Sequence, residues 1–234
     1  MSSCVMCNQL LTYKLSFSFL FSKNAYEEPL ICSKCQSKFL KIDKQSSCPG
    51  CSRPQSKREM CGDCEKWQEK YPNIQLNHTA LLSYNNMARE FMDQYKFQGD
   101  LVIADIFSAS FKKALSGYQK THWIVPIPLS PLSKATRGFN QVELLLKRSG
   151  ISYRQLLEND TPGKLQSSKS RKERLKTPQP YHLMKDHALN KEAVNRIVIV
   201  DDVYTTGRTL LHARLLLENL KDYKVETQSF SLFR

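Results

Sequence analysis

Two adjacent acids followed by hydroxyl residues and a glycine form the stretch of this sequence with the clearest chemistry. Asp201 and Asp202 end an unbroken apolar run over residues 197–200, and they are followed by Thr205, Thr206, Gly207, Arg208 and Thr209. The apolar run is typical of a strand buried on both faces, which puts the acids at a strand's carboxyl end. An apolar helical pattern then begins at Leu210, and the free N–H groups and dipole of a helix N-terminus favour an anion. Because carboxylates suit vicinal hydroxyls or a hard cation, the stretch predicts a ligand with a sugar next to a phosphate.

The eight cysteines form four C-x-x-C pairs, all within the first 70 residues. Two intervening residues let a tight turn bring both sulfurs to one metal ion, and four thiolates complete a closed tetrahedral site, so we predict two structural Zn²⁺ ions. Sequential pairing is the simplest arrangement, with a first site of Cys4, Cys7, Cys32 and Cys35 and a second site of Cys48, Cys51, Cys61 and Cys64. Interleaved pairing is an alternative. Disulfides or a redox motif are disfavoured because a redox motif would not need four copies.

Length and hydropathy narrow the class of protein. A chain of 234 residues with 41% hydrophobic residues suits a medium domain plus a small one. No apolar run reaches the roughly 18 residues of a membrane helix, and residues 10–21 alternate like a strand instead of forming a signal peptide. The expected location is therefore the cytoplasm, where cysteines more commonly bind metal than form disulfides.

The formal net charge of +13 is concentrated in one part of the chain. Residues 111–178 hold 14 Lys and Arg against four Asp and Glu. Such a block is consistent with binding a polyanion, and a solubilising surface is the alternative interpretation. The candidate nucleic-acid residues in it are Lys112, Lys113, Lys134, Lys169, Arg171, Lys172 and Arg174.

Alternating strand and helix patterns follow the cysteine-rich segment. We place a double zinc-ribbon domain at residues 1–76 and a second domain at residues 77–234, since a proline and two asparagines follow the last cysteine. Expected strands are residues 80–84, 121–127, 153–158, 181–184, 197–200 and 225–233, and expected helices are 88–95, 101–115, a helix containing residues 142–146, and one that begins at 210. Residues 134–141 and 159–180 are expected to be loops. This order predicts an α/β fold with a mostly parallel sheet flanked by helices, which binds ligands at the carboxyl ends of its strands.

Residues 196–210 closely resemble the phosphoribosyl pyrophosphate (PRPP) binding motif of type I phosphoribosyltransferases, in which an apolar run and paired acids precede Thr-Thr-Gly-x-Thr. The resemblance implies a type I phosphoribosyltransferase-like fold for the second domain. It further implies that Asp201 and Asp202, the catalytic candidates, bind the ribose hydroxyls while residues 205–209 wrap the 5′-phosphate. Mg²⁺ usually accompanies PRPP in such enzymes and is expected here as a second metal.

Further stretches with a distinctive sequence are VPIP at residues 125–128, RGFNQ at 137–141, KFQGD at 96–100, residues 166–174 and the cysteine-rich segment. These stretches are distributed over nearly the whole chain, and they resemble the ComF family. The resemblance implies that Pro126, Pro128 and Arg137 lie on the pyrophosphate side of the pocket. It also implies a late competence role in natural transformation, handling incoming single-stranded DNA with the helicase-like partner ComFA, and recruitment to the membrane DNA-uptake machinery.

Two functions remain open. A phosphoribosyltransferase also needs a hood, a segment that selects the acceptor base. No segment with base-reading residues is recognised in this sequence. The residues before position 80, where a hood would be expected, carry the cysteine pairs instead. The motif therefore predicts a PRPP-type ligand. It leaves open whether the pocket serves DNA handling without turnover or an active phosphoribosyltransferase.

Overall fold

A four-stranded parallel sheet lies at the centre of the protein. The computed structural model describes residues 2–12, 29–98, 101–160, 179–184, 196–218 and 225–234. Its strands are β1 (His78–Leu82), β2 (Trp123–Pro126), β3 (Leu157–Asn159), β4 (Tyr181–Leu183), β5 (Arg196–Val203) and β6 (Glu226–Phe233). The central sheet has the order β1-β6-β5-β2 with every neighbouring pair parallel, and this confirms the predicted α/β class.

Helices cover the sheet and connect its strands. They are α1 (Ser33–Ser37), α2 (Gly62–Lys70), α3 (Asn86–Asp93), α4 (Asp105–Leu115), α5 (Pro131–Arg137), α6 (Gln141–Arg148) and α7 (Arg208–Glu218), with short 3₁₀ turns at Lys44–Ser46 and Val102–Ala104 and a π-helical turn at Gln94–Gln98. Within these described residues, no helix has both the length and the apolar character needed to cross a membrane.

Two predicted elements differ from the structure. The strand expected at residues 153–158 is shorter and lies at Leu157–Asn159, where it pairs antiparallel with β4 in a separate two-stranded sheet. The loop expected from residue 134 is in part the helix α5. Ser130 caps this helix by accepting a hydrogen bond from the Ser133 amide, Pro131 occupies its first turn, and Gly138 ends it with a φ of 76°. The strand pattern at residues 10–21 and the loop at 159–180 lie mostly outside the described residues.

The cysteine-rich segment packs directly on the edge of the parallel sheet. Backbone hydrogen bonds join Ile42 N–H to Leu81 O (3.1 Å), Ser83 N–H to Leu40 O (2.8 Å) and His78 N–H to Gly50 O (3.1 Å). These bonds occupy polar backbone groups that the edge strand β1 would otherwise expose. The domain boundary proposed between residues 76 and 77 falls just before this strand.

Aromatic side chains from both parts of the chain meet in one hydrophobic core. The Phe39 ring lies 4.9 Å from Phe107 and 6.4 Å from Phe233, and Phe91 lies 4.9 Å from Phe107. Phe39 follows the second cysteine pair, whereas Phe233 ends β6. The cysteine-rich segment is therefore stabilised by the same apolar burial that holds the sheet and its helices together.

Candidate functional site

The carboxyl ends of β2 and β5 border a cavity of about 130 Å³ that contains the paired acids. Pro126 and Val200 are partners in the parallel ladder, so the loop after β2 and the acids after Val200 emerge side by side. Residues lining the cavity are Lys96, Ile127, Pro128, Leu129, Ser130, Ser133, Arg137, Gln141, Asn159, Tyr181, Asp201, Asp202, Val203, Thr205 and Thr209. We call residues 205–209 the threonine loop. The cavity thus contains both acids, Thr205 and Thr209 of the threonine loop, and Pro128 and Arg137, two of the three residues expected on the pyrophosphate side.

Asp202 is held by a cation and an amide. Its Oδ2 lies 2.7 Å from Lys96 Nζ and accepts a hydrogen bond of 2.6 Å from Gln141 Nε2. Arg137 reinforces the arrangement by donating from its guanidinium to Gln141 Oε1 at 3.3 Å. Burial raises the pKa of Asp202, but the nearby Lys96 and Arg137 charges and the Gln141 hydrogen bond outweigh it and hold that pKa below its usual value. Asp202 is therefore ionised at neutral pH.

Asp201 lies beside this charge and behaves differently. The backbone N–H of Asp202 donates to Asp201 Oδ1 at 2.9 Å. Burial, followed by the negative charge of Asp202, raises the pKa of Asp201 to about 7. At neutral pH the pair therefore combines an ionised Asp202 with an Asp201 carboxyl group whose pKa lies near the pH of the solution.

Lys96 and Gln141 are site residues that the sequence motifs did not assign. Lys96 lies in the π-helical turn after α3, a distortion that is frequent at functional sites. Gln141 begins α6, and its backbone carbonyl accepts a 2.6 Å hydrogen bond from the Tyr95 hydroxyl. Both residues lie in the stretches KFQGD and RGFNQ, so the signal that could have identified them was their presence within the ComF-like segments.

The threonine loop connects β5 to α7, which begins at Arg208. Thr205 and Thr209 line the cavity, Thr206 and Gly207 are buried, and Arg208 is half-buried. Gly207 has a φ of 76°, and an added Cβ would collide with the Tyr204 ring. Glycine is therefore required here by both backbone conformation and space. An anion in the cavity would meet the hydroxyls of Thr205 and Thr209 near the N-terminus of an 11-residue helix.

The other sequence-predicted residues take different places. Pro128 and Arg137 line the cavity, whereas Pro126 is buried in β2 and borders a neighbouring groove of about 640 Å³. Lys134 is exposed on α5 and lines that groove as well. Lys112 and Lys113 are exposed in the last turn of α4 and do not line the cavity. Lys169, Arg171, Lys172 and Arg174 lie outside the described residues.

The structure gathers the cysteines into two groups of four. Cys4, Cys7, Cys32 and Cys35 form the first cluster and Cys48, Cys51, Cys61 and Cys64 form the second, and within each cluster the sulfurs lie within 4.8 Å of one another. Neighbouring sulfurs are 3.8 Å apart for Cys7 and Cys32, 3.7 Å for Cys48 and Cys64, and 3.6 Å for Cys51 and Cys61. Four ligands at about 2.3 Å from a tetrahedral ion would be about 3.8 Å apart. Both clusters therefore suit a metal ion held by four thiolates.

The clusters differ in burial. All four cysteines of the second cluster are buried, while Cys7 of the first cluster is exposed and Cys32 is half-buried. The second cluster shares a hydrophobic core with Val125, Ile127, Ile199 and Leu210, which flank the cavity residues. Disrupting the second cluster would consequently disturb the apolar residues that pack behind the candidate site.

Comparison with known sequences decides the family. The chain is 35% identical to competence protein ComFC of Streptococcus pneumoniae, over 99% of both chains. This chain belongs to the ComF family. A second ComF relative, competence protein ComFC of Bacillus subtilis, is also 35% identical, over 99% of this chain and 94% of the relative. Competence protein F of Haemophilus influenzae is 25% identical over 81% of this chain and 85% of its own length.

No family model matches this ComF chain. Among solved structures, a hypoxanthine phosphoribosyltransferase from Staphylococcus aureus aligns over 58% of this chain and 64% of its own, with 17% sequence identity and a TM-score of 0.30.

Proposed function

We propose that this chain is a late competence protein that handles incoming single-stranded DNA during natural transformation, and that its cavity binds PRPP or a related phosphoribosyl group. The observation that carries the proposal is the shared cavity of Asp201, Asp202, Thr205 and Thr209 in a chain whose relatives are competence proteins. The helicase-like ComFA is the proposed protein partner. The proposed location is the cytoplasm, with recruitment to the membrane DNA-uptake machinery.

The chemistry of the cavity supports a phosphoribosyl ligand. Asp201 and Asp202 would accept hydrogen bonds from two vicinal ribose hydroxyls, and the threonine loop with the start of α7 would hold the 5′-phosphate. Lys96 and Arg137 line the same cavity beside Asp202, and they supply positive charge that a pyrophosphate group would complement. When bound, Mg²⁺ would neutralise part of the pyrophosphate charge, with hard oxygen ligands from the ligand and the acids.

Two structural Zn²⁺ ions form part of the same proposal. Each cluster offers four sulfurs at tetrahedral spacing, and four cysteine ligands leave no open position for catalysis. Backbone N–H groups already point at the sulfurs, from Cys32 to Cys4 Sγ at 3.3 Å and from Cys61 to Cys48 Sγ at 3.3 Å. Such hydrogen bonds stabilise thiolates and are the outer-shell contacts that a metal site needs.

Single-stranded DNA binding is expected to be salt dependent and to involve the exposed basic residues of the 111–178 block. Replacing Lys112 and Lys113 with Glu should weaken retention of labelled single strands and flatten the slope of log affinity against log salt, by about 0.7 for each lost phosphate contact. Filter binding from about 50 to 200 mM salt measures both quantities. Lys34→Glu with Lys38→Glu, an equal charge change at exposed positions outside the block, is the matched control. A wild-type affinity that does not change with salt would refute the DNA proposal.

An active phosphoribosyltransferase is the second candidate function. It is favoured by the carboxylate pair, because the pKa of Asp201 is raised and that of Asp202 is lowered within one cavity. Such a separation is typical of sites in which one group exchanges a proton during a reaction. Incubation with PRPP, Mg²⁺ and each nucleobase in turn should then release pyrophosphate. Absence of release with every acceptor, by a chain that binds PRPP, would leave the binding function alone.

The affinity for PRPP is expected to increase as the pH rises from 6 to 8. Ribose hydroxyls bind the ionised carboxylate, and Asp201 loses its proton only near pH 7, so binding below that pH must release a proton. Titration calorimetry in buffers of different ionisation enthalpy measures this release. Asp201→Asn should bind more weakly and show only the pH dependence of the ligand's own phosphates. An equal pH slope in wild type and variant would assign the proton to another group.

A further inference from the structure

The second cysteine cluster is connected to the threonine loop through the side chain of Arg234, the residue after β6. Arg234 donates from Nε to the Cys51 carbonyl at 3.2 Å and from a terminal nitrogen to Cys51 Sγ at 3.3 Å. Its other terminal nitrogen donates to the Thr205 carbonyl at 3.4 Å. One planar guanidinium therefore contacts a cysteine of the cluster and the first residue of the loop, a geometry that a lysine cannot reproduce.

A second connection runs through Trp67. This residue lies three positions after Cys64 on α2, so one cysteine of the cluster and the indole ring belong to the same short helix. Its indole Nε1–H donates to the Thr206 carbonyl at 2.9 Å, and the ring is buried. The two consecutive carbonyl groups of the loop thus both accept hydrogen bonds, that of Thr205 from a side chain that contacts the cluster and that of Thr206 from a side chain on the helix of Cys64.

The ring of Tyr204 fills the space beneath the loop. Its ring centre lies 4.7 Å from the Arg234 guanidinium carbon and 4.4 Å from the centre of the His78 ring, which is tilted by 42°. The His78 nitrogens lie 3.0 Å from Ser229 Oγ and 2.9 Å from Ser231 Oγ, so the imidazole is fixed to β6. An added Cβ at Gly207 would collide with the Tyr204 ring, so this ring packs closely against the loop backbone at Gly207.

The hydrogen bonds to the Thr205 and Thr206 carbonyls also fix the orientation of the backbone N–H groups that follow them. In a trans peptide the C=O and the following N–H point in opposite directions. With the Thr205 carbonyl directed toward Arg234 and the Thr206 carbonyl directed toward Trp67, the N–H groups of Thr206 and Gly207 are directed away from these two side chains. Donors that are oriented before the ligand arrives bind an anion without a further ordering cost.

We propose that the second cysteine cluster, acting through Arg234 and Trp67, positions the threonine loop for phosphate, so that metal occupancy of this cluster and phosphoribosyl binding are thermodynamically coupled. Arg234 and Trp67 are positioning residues, because their hydrogen bonds go to loop carbonyls. The inference rests on the proposed function in one respect, namely that the loop binds a phosphate. Coupling between two sites is reciprocal, so the ligand must in turn stabilise the metal in this cluster.

The test uses the full zinc-loaded chain and ribose 5-phosphate. Arg234→Met is expected to weaken binding by about tenfold and Trp67→Phe by about fivefold, in the usual range for coupled sites, with two metal ions per chain retained. Arg234→Lys should recover part of the loss, since one of the hydrogen bonds survives. Arg196→Met, at an exposed position at the opposite end of the sheet, is the matched control and should bind like wild type. Titration calorimetry and metal analysis give these values.

Reciprocity provides a readout that a merely structural role would not change. In a Cys7→Ser chain, which keeps the second cluster complete, ribose 5-phosphate should slow metal release to a chelating dye. The same experiment with Trp67→Phe added should show little protection. If wild type binds ribose 5-phosphate and both the Arg234→Met and Trp67→Phe variants bind it equally well, the coupling is refuted while the proposed function stands. If wild type binds neither ribose 5-phosphate nor PRPP, the proposed function itself fails.

Discussion

Replacing both Asp201 and Asp202 with Asn is expected to abolish PRPP binding while the chain remains folded. An asparagine keeps the size of the side chain but removes the charge that is proposed to receive the ribose hydroxyls. Hydrogen bonds to charged groups contribute about 1.5–3 kcal/mol each, so losing two of them corresponds to an affinity loss of roughly 100-fold or more. Titration calorimetry with PRPP and Mg²⁺ measures the effect, and circular dichroism shows whether the fold survives. Wild-type affinity in the double variant would refute the assignment of the acids.

The two single variants should differ in stability, because the acids have different environments. Asp202→Asn leaves the Lys96 ammonium, a side chain only 16% exposed, without its carboxylate and should lower the free energy of unfolding by about 1–3 kcal/mol. Asp201→Asn removes a buried carboxyl whose pKa is already raised, so stability at pH 8 should be unchanged or higher. Glu226→Gln, an exposed position at the amino end of β6, is the control for loss of a negative charge and should leave PRPP binding unaltered.

Removing the metal from the second cysteine cluster is expected to unfold the surrounding core. Its four cysteines are buried and pack with Val125, Ile127 and Ile199. Structural zinc contributes about 10–16 kcal/mol in zinc-finger peptides, which equals or exceeds the 5–15 kcal/mol that stabilises a typical domain. Cys64→Ser should therefore abolish cooperative thermal unfolding, followed by circular dichroism, and reduce the metal content to one ion per chain.

The first cluster offers a matched comparison for this prediction. Cys7 is exposed, so Cys7→Ser should release one metal ion while the sheet and the cavity persist with a smaller decrease in melting temperature. During chelation of the wild type, the first cluster should lose its metal faster than the second, because the chelator reaches its sulfurs directly. Equal losses of stability in the two variants would contradict the different roles assigned to the clusters.

The chemistry of this protein was predictable where it depends on neighbouring residues. The C-x-x-C spacing brings two sulfurs together whatever surrounds them, and four such pairs predict two metal sites. Likewise, the apolar run before Asp201 and Asp202 indicates a buried strand, and Thr205 to Thr209 indicate the start of a helix. Both inferences hold because strand burial and helix N-termini are properties of about ten consecutive residues.

Elements that depend on weak local signals were less well predicted. The charges of residues 134–137 and the nearby Gly138 predict a loop, whereas the capping by Ser130 and the Pro131 in the first turn make these residues helical. The short strand β3 leaves the parallel sheet to pair with β4, and a pattern of a few apolar residues does not specify its partner.

The sequence alone determined which groups could bind a sugar, a phosphate and metal ions, since each motif is contained in a short segment. Which of these groups lie in contact depends on the tertiary fold. Lys96 and Gln141 reach Asp202 from other elements, Trp67 bonds to a loop 139 positions away, and Arg234 contacts Cys51 across 183 positions. The Arg234 contact exists because the sheet order β1-β6-β5-β2 brings the end of β6 between the cysteine-rich edge and β5. Strand order is set by the packing of the whole chain, which no local pattern encodes.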